Sequence, residues 1–95
     1  MQSARLVAAV AELGSFGVTM TSWQIDDAVL AVAQPTWRKV AMIIVKASDR
    51  LGSDLPEGND GHHLVAQRID ALVSAGRLIA QGDITLWRHS EVRLP

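Results

Sequence analysis

Apolar residues recur along the chain at intervals that predict four helices followed by short strands. Over residues 3–13, Leu6, Val10 and Leu13 share one side at helical spacing, with Arg5 and Glu12 left to solvent. Gly14, Ser15 and Gly17 break the pattern, and residues 18–20 form a brief apolar joint. Thr21 then offers a cap, and Gln24, three residues later, completes a capping box. Ile25, Val29, Leu30 and Val32 supply the buried side of this second helix, and Gln34-Pro35 ends it, because proline disfavours helical backbone in the residue before it. Asp26 and Asp27 fall in its first turns, where carboxylates complement the positive end of the helix dipole.

Thr36 is the expected cap of a third helix, in which Trp37, Val40, Ala41, Ile44 and Val45 follow at i, i+3, i+4, i+7 and i+8 and predict a core face. Met42 and Ile43 carry apolar surface further round the cylinder. This central helix is therefore expected to be covered on a second side, by the N-terminal helix or by another subunit. Residues 48–61 read as a long polar loop with four acidic residues, and Asp60 is the expected cap of a fourth helix. Leu64, Val65, Ile69, Leu72 and Val73 form its stripe, and Gly76 stands where a left-handed residue would stop it at about Ala75.

Two β-prone runs follow, residues 78–81 and 84–87, separated by Gly82-Asp83, a dipeptide compatible with a type II′ hairpin turn. A further run, residues 91–94, alternates charged and apolar residues. Two hairpins are open: one across Gly82-Asp83, the other with Arg88, His89 and Ser90 in a longer tip. The sum is one mainly helical α+β domain spanning residues 1–95, in which residues 1–20 hold an N-terminal helix and joint and residues 21–95 a body closed by a β-hairpin.

Composition narrows the function classes. With 48% apolar and 20% charged residues the chain can bury enough surface to offset the entropy of ordering. Nine Lys and Arg against ten Asp and Glu leave a net charge of -1, without the basic excess that drives counterion release on nucleic acid. There is no cysteine, hence no disulfide framework and no thiolate nucleophile. The apolar run over residues 6–11 is cut by Glu12, short of the roughly 7 to 15 residues of a secretory h-region, and no stretch reaches the roughly 18 apolar residues of a membrane span. A cytoplasmic protein without membrane association is expected.

The order helix, helix, loop, helix, hairpin resembles the winged-helix superfamily. The string from Arg68 to Asp83, R-x-x-x-L-x-x-x-G-x-L-x-x-x-G-D, followed by E-V-R-L-P and preceded by Trp37, is similar to a family of small bacterial domains of unknown function. The resemblance covers residues 22–95. It implies a three-helix core with a wing, the fourth helix standing where DNA-reading members place their recognition helix. On that analogy Gln67 and Arg68 would meet bases while Arg88, His89 and Arg93 on the wing would meet phosphates, with His63 a further DNA contact. Asp49, Asp54, Glu57, Asp60 and Asp70 repel a phosphate backbone along the same approach.

Other constellations have simpler explanations. His62 and His63 are adjacent, so on a helix they project about 100° apart and do not share one ion; no metal site is expected. Asp26 and Asp27 diverge in the same way, and no nucleophile elbow or phosphate-binding glycine loop is present, so neither catalysis, a cofactor nor a small-molecule ligand is indicated. Trp is enriched at interaction hot spots. Two functions follow as expectations: a non-catalytic protein-interaction or oligomerisation module, with Leu6, Val10, Met20, Trp23, Met42, Ile43 and Trp87 as interface residues, or a DNA-binding regulator, most simply a homodimer, using the fourth helix and wing. Neutral charge and abundant apolar surface favour the first.

Overall fold

The computed structural model describes residues 21–95. The helix expected over residues 3–13, and with it Leu6, Val10 and Met20 as interface residues, lies outside the described residues. The rest is mainly helical, with three helices and a small three-stranded antiparallel sheet in the order α1, β1, α2, α3, β2, β3.

Helix α1 (Ser22–Val32) opens as its sequence predicts, the Thr21 N–H donating to Gln24 Oε1 at 2.8 Å. Ile25, Ala28 and Val29 are buried, and Leu30 and Val32 pack partly against the same core. The chain leaves the helix at Ala33, which is already extended.

The next element departs from expectation. Thr36 does not cap a helix; instead Arg38–Lys39 form the short strand β1, and helix α2 (Val40–Leu51) follows directly. Its inward stripe is Val40, Ile43, Ile44 and Ala47. Ile43, expected at an interface, is only 1% exposed, and Val45, expected in the core, is 50% exposed. A helix reading V-A-M-I-I-V is apolar round most of its circumference, so spacing alone admits more than one rotation. The tertiary structure selects one: β1 pairs with the C-terminal strand, and the first N–H groups of α2, those of Val40 and Ala41, donate to the carbonyls of Ser90 at 3.0 Å and Trp87 at 2.9 Å. Trp37, no longer helical, is half-buried under the Arg93 guanidinium, 5.1 Å from the ring centroid, rather than at the head of the central helix.

A 3-10 turn (Gly52–Asp54) leads to α3 (Asn59–Ser74), whose N-cap is Gly58 at φ 68°, with Asp60 in the first turn rather than at the cap. Gly61 is buried against the loop before it, and a Cβ there would overlap the Pro56 carbonyl oxygen. Val65, Ile69 and Leu72 face inward as predicted, with Leu64 and Val73 at the margin. The helix stops at Ala75 and Gly76 takes φ 78°; Gly76 N–H bonds Val73 O at 3.0 Å and Arg77 N–H bonds Leu72 O at 2.9 Å, a Schellman closure.

Neither expected hairpin closes at its own turn: Gly82-Asp83 and Arg88, His89 and Ser90 all fall in one loop, residues 82–90. Strand β2 (Ile79–Gln81) pairs with β3 (Glu91–Arg93), which lies between β2 and β1. Residues 84–87 are not a strand, because the Asp83 carboxylate accepts the Thr85 N–H at 3.0 Å and its hydroxyl at 2.6 Å, and Leu86 N–H then closes a turn on Asp83 O. His89 N–H closes a second turn on Leu86 O. Val29, Ile43, Ile44, Val65, Ile69, Leu78 and Val92 are essentially removed from solvent where the helices meet the sheet. Burying each such side chain contributes about 1.5–3 kcal/mol. Among the described residues no helix is long and apolar enough to cross a membrane.

Candidate interaction surface

Two outward faces carry the residues singled out by sequence. On α3, His63, Gln67 and Asp70 are exposed. Arg68, expected to read bases, is not free: its Nε donates to Asp26 Oδ1 at 2.7 Å and its Nη2 to Asp26 Oδ2 at 2.9 Å, a two-pronged bridge from α3 to α1. The hydrogen bond to Asp26, helped by its charge and opposed by burial, raises the Arg68 pKa above its ordinary value. Swinging Arg68 toward another ligand would strand the largely buried Asp26 carboxylate. This pairing corrects both expectations, since Asp26 lies beyond the first turn of α1 and its carboxylate serves the α1 to α3 contact.

The loop between β2 and β3 leans on the same helix. The Trp87 ring meets His63 edge-on, 5.2 Å between centroids at 62°, and packs partly against the core. Trp87, expected at an interface, thus spends much of its surface on α3. A shallow depression of about 250 Å³ remains between helix and loop, walled by His63, Gln67, Asp70, Ile84, Thr85 and Trp87. Arg93, expected on phosphates, stacks on Trp37 and donates to Leu94 O at 3.0 Å. Arg88 and His89 alone among the residues proposed for phosphates stand exposed on the loop.

The outward face of α2 is of another kind. Met42 is 46% and Val45 50% exposed, one helical turn apart, and they floor an open depression of about 580 Å³ edged by Lys39, Lys46 and Arg88, with Asp49 as its only acid. Arg88 also lines a second depression, which holds Leu86, 53% exposed, so Arg88 stands between the α2 floor and an exposed apolar side chain of the loop. Trp23 is 62% exposed on α1. Sequence reasoning named Met42 and Trp23 but missed Val45, Leu86 and the lysines. For Val45 the signal was the second apolar phase of the third helix, which spacing could not separate from the first; Leu86 and the lysines carried none.

The string that carried the family resemblance is accounted for by structure. Arg68 bridges to Asp26, Leu72 and Leu78 are buried, and Gly76 closes α3. Gly82, at φ 80°, begins the loop where a Cβ would stand 2.9 Å from His89 O, and Asp83 folds the turn. Among the described residues no three or more His, Cys, Asp or Glu side chains gather as a metal site requires. No protein-family model, curated protein or solved structure matches the chain.

Proposed function

We propose that this chain is a non-catalytic protein-interaction domain of winged-helix-like build, docking through the outward face of α2. The observation that carries this reading is the exposed Met42 and Val45 strip framed by Lys39, Lys46 and Arg88. Contiguous exposed apolar surface with a polar edge is the signature of a protein contact. The helix order, the position of β1 between α1 and α2, and the sheet order β1-β3-β2 support the winged-helix description.

That same layout favours a second reading, duplex DNA binding through α3 and the loop. Its cations are depleted by the Arg68 bridge and the Arg93 stack, and Asp60 and Asp70 stand exposed on α3. A photo-crosslinking amino acid placed in the native cell at position 42 or at position 67 separates the two. Protein adducts confined to position 42 are expected. Nucleic-acid adducts at position 67, with none to protein at position 42, would overturn the proposal.

A further inference from the structure

The α2 face has a charge asymmetry that identifies its occupant. Three cations, Lys39, Lys46 and Arg88, border the Met42 and Val45 floor against one carboxylate, Asp49, although the whole chain is slightly acidic. A partner must bring apolar side chains spaced about one helical turn apart and, flanking them, carboxylates to meet the cations. We propose that the occupant is an acidic amphipathic helix of a different protein, its apolar side chains lying along Val45, Met42 and Leu86 and its carboxylates against Lys39, Lys46 and Arg88. This rests on the protein-interaction reading and adds the chemistry of the partner.

A second copy of the chain fits poorly. In a two-fold contact through this face the three cations and single carboxylate of each copy would be brought together, and the excess of like charge would oppose it. Nor do the described residues supply the complement elsewhere. The carboxylates of Asp54, Glu57 and Asp60 lie on a loop and helix start that carry no exposed large hydrophobic residue. On α1 the exposed Trp23 is accompanied by one exposed carboxylate, Asp27, against three cations. Methionine on the docking floor suits an irregular partner surface, because its unbranched side chain repacks at little cost.

The test titrates the full chain into two fluorescent helical peptides, both with leucine at i, i+3 and i+7, one flanked by glutamate and the other by lysine. The glutamate peptide is expected to bind at least about tenfold more tightly than the lysine peptide, with an affinity that falls as salt rises. Met42→Asp with Val45→Asp is expected to weaken it by about tenfold or more, and Lys39→Glu with Lys46→Glu to reverse the preference between peptides. Circular dichroism checks that each variant is folded, and the milder Met42→Ser with Val45→Thr stands in if the aspartates disturb α2. Equal binding of the two peptides, no binding of either, or indifference to the α2 variants would overturn the inference. Sedimentation showing a stable dimer that the α2 variants dissociate would also overturn it, while leaving the protein-interaction reading intact.

Discussion

The outward faces of α2 and α3 differ in what already occupies their side chains. On α3 the one arginine is bridged to Asp26 of α1, His63 supports the Trp87 ring, and the start of the helix sits so close to Pro56 that only glycine fits at position 61. On α2 Met42 and Val45 stand half in solvent, between cations for which no ion pair is formed among the described residues. Both helices are amphipathic and both bury a stripe in one core. The difference teaches that α3 has its arginine and its first turn invested in holding the domain together, whereas its neighbour keeps apolar surface and cations to spare.

Substitutions can break that contrast, and the largest effect is expected at Gly61. Gly61→Ala forces the Pro56 carbonyl to move and should cost about 3 kcal/mol, enough to lower the melting temperature of a domain this size by more than about 10 °C. A variant melting like the parent would show that α3 is not seated as described. Next comes Arg68→Ala, which leaves the Asp26 carboxylate without its partner; a loss of about 1–2 kcal/mol in urea unfolding is expected. The double change with Asp26→Ala should cost less than the sum of the single changes, and strict additivity would mean the bridge does not couple α1 to α3.

Smaller still is the expected effect on α2. Met42→Gln should move stability by no more than about 0.5 kcal/mol, since the side chain has little to lose; a large drop would mean that the strip is part of the core. The smallest effect is a pH response in the loop. Hydrogen bonds from the Thr85 hydroxyl and N–H hold the Asp83 carboxyl below its usual pKa. A depressed carboxyl pKa makes this turn's contribution complete above about pH 4 and lost as pH falls through the lowered value. The Thr85 amide proton resonance should therefore shift in acid at a pH below the ordinary aspartate range, and Asp83→Asn should abolish that titration. A midpoint at or above the ordinary range would dissolve the turn as described.

Much of the helical frame was legible in the residues themselves, because its signals are local. The Thr21 and Gln24 pair marks the start of α1, the stripe of Val65, Ile69 and Leu72 marks the inner side of α3, and Gly76 marks its end; each acts within one or two turns of backbone. The rotation of α2 was not legible. Its apolar residues satisfy two faces, and the choice falls to hydrogen bonds that Val40 and Ala41 donate to carbonyls of residues 90 and 87, about half the chain away. The same distance hid the Arg68 to Asp26 bridge, so an arginine that looked available for nucleic acid is a tie between helices.

By itself, then, the sequence determined where α1 begins and where α3 ends, which side of α3 turns inward, and that the chain lacks the charge excess of a nucleic-acid binder. Only the tertiary structure decided which hairpin forms, which of Ile43 and Val45 is buried, and which cations remain free. The physical reason is the range of the forces involved. Caps and turns are settled by neighbours in sequence, whereas a strand partner, a helix rotation and an ion pair are settled by groups that meet only after the chain has folded.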